Sequence, residues 1–277
     1  MDQGRQMTEQ DSDGTVTSPD GTTIAYSRQG SGPPVVLVDG ALCHRGAGPN
    51  KSLAKLLASD YTVYTYDRRG RGESGDARAY ATDREIEDLK AVIDSAGERV
   101  YLFGISSGGM LALDAANRLP GIEKLALYEL PYVVDDSREP LPPNFAGELD
   151  ELVTSGHSGE AVSAFMKRGV LVPGVFVALM HLMPAWPRMK RIAHTLVYDV
   201  SFFGDLGAGR PLPTDRWTAV TMPTLVAGGS KSPDWVKAAV KGLTQVLPNA
   251  VNRTLEGQTH IVKAKALAPV LKEFFGR

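Results

Sequence analysis

The sequence predicts an α/β fold: a mostly parallel sheet covered by helices on both faces, with a helical cap inserted between two late strands. Three observations predict it. Pro34-Val35-Val36-Leu37-Val38 is a continuous β-branched run, as expected of a strand buried on both faces. Later strand-like runs alternate with helical periodicity, which implies a parallel sheet with crossover helices. Between Tyr128 and Pro223 the alternation stops, and helical patterns follow one another without strands.

Residues 1–13 are polar, have no apolar core and read as a disordered tail rather than a secretory signal. Residues 15–18 and 23–28 are short strands joined by Pro19-Asp20-Gly21, a hairpin that adds antiparallel strands at one edge. Further strands are expected at 34–38, 61–66, 99–103, 124–128, 224–227 and 250–254. Ile86, Leu89, Val92 and Ile93 share one helical face, as do Leu267, Val270, Leu271 and Phe274. Helical patterns at 148–154, 160–168 and 188–200 fill the cap. The core is thus expected at 14–130 and 217–277, with the cap at 131–216. The apolar stretch 170–183 is interrupted by Pro173, Gly174 and His181, and is too short to span a bilayer.

Tyr101-Leu102-Phe103 runs into Gly104-Ile105-Ser106-Ser107-Gly108, and a helix-compatible pattern follows. Strand, sharp turn and helix are the context that a G-x-S-x-G nucleophile turn requires. The serine sits in a strained conformation, glycines two residues either side avoid clashes, and the helix N-terminus favours developing negative charge. Only Ser106 has Gly at both positions, which selects it over Ser107. Among five histidines, only His260 follows the last strand and precedes the last helix, at the sheet edge where such folds carry their sites. His44 is its main competitor; His181 and His194 fall in the cap, as does His157.

Together these residues resemble the α/β-hydrolase superfamily, in its capped serine esterase and peroxidase-like branch, over roughly residues 14–277. The resemblance implies an eight-stranded sheet and a site under the cap that uses neither metal nor cofactor. It also implies acyl transfer by Ser106, with His260 as general base. The acid that orients the histidine usually follows the strand after the cap, where this chain reads Gly228-Gly229-Ser230-Lys231-Ser232-Pro233-Asp234. Asp234 is two residues late and has a plain role in a helix start, with Ser232 as N-cap and Pro233 at N1. Glu129, at the tip of the strand before the cap, is the favoured acid, a position that haloalkane dehalogenases use. Asp234 is the alternative, with Asp135 and Asp136 behind it.

Carried over from the family, the oxyanion donors are the backbone N–H groups of Ala41 and Ser107. Most relatives have His-Gly where this chain has Asp39-Gly40. The Asp39 carboxylate must therefore turn away, pair with Arg68, Arg69 or Arg71, or be protonated. Gly70-Arg71-Gly72-Glu73-Ser74-Gly75 matches G-x-G-x-x-G, but no helix opens at Gly75. The stretch from Tyr66 instead resembles a structural turn of the hydrolase fold. Cys43, the single cysteine, permits no internal disulfide and suits a reducing cytoplasm.

The net charge is -2, so no electrostatic footprint for nucleic acid or an anionic membrane is expected. The cap holds Met166, Met180, Met183 and Met189 with Phe165, Phe176, Trp186, Phe202 and Phe203, which suits an apolar small-molecule substrate of medium size, with room for a bulky one. The expected function is hydrolysis of a hydrophobic ester, thioester or lactone. The alternatives are a lyase, cyclase or acyltransferase on the same fold, or a catalytically silent ligand receptor.

Overall fold

The computed structural model describes residues 12–77 and 80–276. Its centre is one eight-stranded sheet, β1 (Ser12–Thr17), β2 (Thr23–Gln29), β3 (Pro34–Val38), β4 (Thr62–Tyr66), β5 (Val100–Ile105), β6 (Ile122–Tyr128), β7 (Thr224–Gly229) and β8 (Ala250–Leu255). The strands lie in the order β1-β2-β4-β3-β5-β6-β7-β8. The hairpin pairs antiparallel at one edge, and every pairing from β4 to β8 is parallel. β1 begins two residues inside the stretch read as a tail, because Ser12 and Asp13 pair with Arg28 and Ser27. Residues 1–11 lie outside the described residues.

The sequence explains the layering. All of β4 and nearly all of β3 are buried, as their unbroken β-branched and aromatic runs require. One face of the sheet packs on α2 (Thr82–Ala96), α3 (Ser107–Ala116) and α9 (Asp234–Val246), through residues such as Leu89, Leu111 and Leu243. The other packs on α1 (Pro49–Leu57) and α10 (Ala264–Phe275), through Leu53, Leu57, Leu267 and Leu271. The glycine-rich turn after β4 is closed by its own bonds, with Gly70 N–H donating to Gly75 O and Ser74 Oγ to Asp67 O. The next helix begins only at Thr82.

Between β6 and β7 lie helices and no strand. They are α4 (Phe145–Thr154), α5 (Ser158–Ala164), a π turn (Phe165–Gly169), α6 (Gly174–Met180), α7 (Trp186–Arg191) and α8 (Leu196–Ser201). Phe145, Leu149, Val162, Trp186, Leu196 and Val200 give this insertion a core of its own. Two expected helices are broken: the 160–168 pattern ends in the π turn, and the 188–200 pattern is split by a 3₁₀ turn at Ala193–Thr195. The apolar stretch 170–183 holds α6. No helix among the described residues is long and apolar enough to cross a membrane.

Parallel strands end on the same sheet edge. The chain leaves β3 for β4 on one side and β5 on the other, so a crevice opens between the loops after β3 and β5. Ser106, Glu129 and the His260 loop follow β5, β6 and β8 at that edge.

Candidate active site

Ser106 has φ 56° and ψ −132°, between the end of β5 and the start of α3. Among the described residues it is one of four non-glycine residues held at positive φ, a conformation that persists only where the surroundings enforce it. Two close approaches enforce this one. A Cβ on Gly104 would come 2.6 Å from Gly109 Cα, and one on Gly108 would come 2.3 Å from Asp39 O. Both flanking glycines are therefore required by contact, and the turn presses on the loop after β3. Gly40 belongs to the same contact, since a Cβ there would lie 3.0 Å from Ser106 Cβ.

Glu129 is also held at positive φ, 48°, at the tip of β6. Its carboxylate is buried and fully partnered. Oε1 accepts the Gly229 N–H at 2.6 Å and the Ser232 hydroxyl, while Oε2 lies 2.9 Å from His260 Nδ1. Ser232 therefore caps the acid rather than α9, whose N-cap position is Pro233. The histidine loop is pinned from below, because Tyr128 Oη donates to Thr259 O at 2.8 Å and Lys231 N–H to Gln258 O at 2.9 Å. The His260 side chain is 36% exposed and reaches a cavity that Ser106 also lines.

The competing acids lie elsewhere. The Asp234 side chain is 92% exposed and pairs with Lys237. Asp135 bonds to Ser137, and Asp136 is surface-facing. Of the other histidines, His44 accepts the Gly46 N–H, His181 bonds Ser163 and packs on Trp186, and His194 pairs with Asp76. His157 lines a separate surface cleft.

The loop after β3 is held from its carbonyls. Arg71 Nη1 donates to Gly40 O at 2.8 Å and Cys43 O at 3.4 Å. Arg71 and Arg68 both pair with Asp199 of α8, at 2.6 and 2.7 Å, and Arg68 also pairs with Glu85. Ser107 Oγ donates to the same Asp199 at 2.7 Å. The Asp199 carboxyl is fully buried; burial raises its pKa, and the two guanidiniums more than offset that, leaving it below the ordinary value. One insertion carboxylate thus ties α3, which begins just after Ser106, to the loop that faces it. With its carbonyls so engaged, the loop keeps the Ala41 N–H free of protein acceptors among the described residues, as is the Ser107 N–H at the start of α3. The Cys43 thiol is half-buried, and burial pushes its pKa up to about 12.

Asp39 takes none of these arginines through its side chain. Its carboxylate turns away toward the start of α1, against Gly48, and accepts the Asn50 N–H at 3.4 Å. Burial pushes its pKa up to about 7, partly opposed by that N–H and by Arg71. An unfolded Asp titrates near about 4. Between that value and about 7 the folded chain keeps a proton that the unfolded chain has lost, so stability falls as pH rises through this window and is level above it. Asp39→Asn is expected to stabilise the protein by about 2 kcal/mol or more near pH 8 and to change little near pH 4. Thermal melts at the two pH values check this, and an equal effect at both would refute it.

The cavity between sheet edge and insertion has a volume of about 70 Å³. Ser106, Ser107 and His260 form its floor, with Phe145, Phe165, Phe203, Trp235 and Val200 around them. None of the four insertion methionines lines it. Met166, Met180 and Met189 pack against the insertion core and Met183 is exposed, so the expected Met-rich lining is replaced by phenylalanines and Trp235. Asp199, Ser232 and Trp235 had no sequence signal for a place at the site, since each arrives by long-range packing.

A solved α/β hydrolase from Sphaerobacter thermophilus is 50% identical with a TM-score of 0.88, over 95% of this chain and all of that one. A bromoperoxidase from Bacillus anthracis superposes with a TM-score of 0.70 at 20% identity, over 96% of this chain and 100% of that one, a likeness of fold. An uncharacterised hydrolase from Bacillus subtilis, YraK, is 36% identical over 113 residues. That match spans 39% of this chain and 40% of the curated relative. The model of the alpha/beta hydrolase family matches residues 39–265, a span that runs from the loop after β3 past His260 and takes in every residue of the cavity floor. A sheet edge built in this way, with a family match across most of its length, makes the chain a member of the alpha/beta hydrolase family.

Proposed function

We propose that the chain is a serine hydrolase that cleaves a small, hydrophobic carboxylic ester, thioester or lactone. The observation that carries the reading is the buried Glu129 carboxylate 2.9 Å from His260 Nδ1, with Ser106 on its strained turn in the same cavity. Glu129 holds Nδ1 as the protonated nitrogen and leaves Nε2 to accept a proton. Ser106 Oγ attacks the acyl carbon as His260 takes the hydroxyl proton. The oxyanion is received by the N–H groups of Ala41 and Ser107, and each such donor contributes about 3 kcal/mol to lowering the barrier. The C–O or C–S bond to the leaving group breaks as His260 returns the proton to it. Water, activated by the same imidazole, then releases the acid and frees Ser106.

Ser106 Oγ has no hydrogen-bond partner among the described residues, and a substrate-free nucleophile commonly engages its base only when substrate binds. An Asp39 carboxylate aimed at the oxyanion loop would favour a lyase or acyltransferase, but it faces Gly48. In this reading residues 131–216 act as a cap over the site.

Fluorophosphonate labelling with peptide mapping tests the assignment. Fast labelling confined to Ser106, lost in His260→Ala, is the expected result; labelling elsewhere, or none, would refute it. Turnover in oxygen-18 water should place the label in the acid product, and an unlabelled product would mean group transfer instead.

The cavity size sets a further expectation. At about 70 Å³ it holds a few carbon atoms beside the nucleophile. Across p-nitrophenyl esters, kcat/KM is expected to be highest for acyl chains of about two to four carbons and to fall about tenfold or more by eight. A profile that rises with chain length would contradict it.

A further inference from the structure

Of the exposed large hydrophobic side chains among the described residues, six of eight lie on α6 and the segments beside it. Leu171, Val175, Phe176, Leu179, Leu182 and Met183 are all exposed, Leu182 to 83%. Their spacing has a single sense. At about 100° per residue, positions 175, 176, 179, 182 and 183 fall within an arc of roughly 120°. Val177, on the opposite side, is buried against the insertion. The winding continues past α6 through i→i−3 bonds from Leu182 to Leu179 and from Met183 to Met180. The outward face is therefore one apolar stripe, wider than scattered surface hydrophobics would give.

Charge around the stripe is one-sided. From Ala161 to Tyr198 the chain has no Asp or Glu, yet it holds Lys167, Arg168, Arg188, Lys190 and Arg191 in a protein of net charge -2. Arg168 pairs with Glu148; the other four form no ion pair among the described residues. Three of these four, Lys167, Lys190 and Arg191, lie at the ends of the stripe. The Lys167 stem lies beside Gly174 where α6 begins. At the other end Lys190 and Arg191 share a surface cleft with His181, and Glu160 is the acid of that cleft.

We infer that this face docks on an anionic lipid surface, with the stripe among the acyl chains and the basic rim at the headgroups. An amphipathic segment of this composition, apolar on one side and cationic at the borders, is what such a surface selects. A second copy fits less well. A two-fold pairing through α6 would set the same cations against one another, and six side chains on a short convex helix fall well below the interface of a stable dimer. The docked face is continuous with the site, because the π turn and Val170, which line the cavity, lead directly into Leu171 and α6. Docking would thus turn the cavity roof toward the lipid. It needs neither Ser106 nor His260, and it stands or falls apart from the hydrolase reading.

The test is co-sedimentation of the full chain, in wild-type and Ser106→Ala forms, with phosphatidylcholine vesicles with and without about 30% phosphatidylglycerol. Both forms should partition onto the anionic vesicles and remain free of the neutral ones. Partition should fall by about tenfold in Phe176→Ser/Leu182→Ser, in Lys190→Glu/Arg191→Glu, and for the wild type in about 0.5 M salt. The salt arm needs no variant to fold. Failure to bind the anionic vesicles, or equal binding to both kinds, would overturn the inference. So would a dimer in light scattering that Phe176→Ser/Leu182→Ser converts to monomer, which would assign the face to a second copy.

Discussion

Ser106→Ala is expected to lower kcat on an activated short-chain ester by about 10⁵-fold or more while leaving the fold intact. The serine contributes two separable things. Its backbone occupies φ 56° because Gly40, Gly104 and Gly108 allow β3, β5 and α3 to close around it, and alanine inherits that conformation at similar strain. Its hydroxyl makes no hydrogen bond to protein among the described residues, so its loss leaves no buried partner unsatisfied. The melting temperature should move by no more than a few degrees. Residual activity near the wild-type rate would mean that another group performs the attack. The half-buried Cys43 thiol, its pKa raised to about 12 by burial, is poorly suited to that role.

Glu129→Gln is the second large effect, expected at about 10³–10⁴-fold in kcat with KM little changed. The amide oxygen can still accept from Gly229 and Ser232 and so keep the loop geometry. What it cannot do is stabilise the imidazolium that forms as Ser106 attacks, and its NH₂ group would favour the wrong tautomer if turned toward Nδ1. Asp234→Asn should stay within about twofold of wild type, because its side chain is 92% exposed and paired with Lys237. A larger loss in Asp234→Asn than in Glu129→Gln would displace Glu129 from this role.

Much of the site was readable from local pattern. The strand-turn-helix around Ser106 is marked by a local pattern, a glycine two residues either side of the serine, although the contact that demands Gly108 comes from Asp39 in the loop after β3. Glu129 and His260 were accessible for a related reason: each closes a strand of a parallel sheet, and parallel strands deliver their ends to one edge. Ser232 was misread because a Ser-Pro-Asp run is a sound helix start on its own terms, and only the approach of β6 gives its hydroxyl a better acceptor. For Asp39 the sequence left three outcomes open, and packing selected the turn away toward Gly48, while the three arginines reach Glu85, Asp88, Asp199 and loop carbonyls.

By itself the sequence determined the sheet, the helical character of the insertion, the turn that carries Ser106 and the sheet edge at which Glu129 and His260 lie. These follow from short-range rules: side-chain periodicity, the steric needs of a tight turn, and the common direction of parallel strands. Only the tertiary structure decided that Asp199 ties the insertion to Ser107 and Arg71, that phenylalanines rather than methionines face the cavity, and that α6 turns its apolar side outward. Each of these depends on which face of an insertion helix meets the core. That choice is made by packing between residues far apart in the chain, where no local periodicity can specify it.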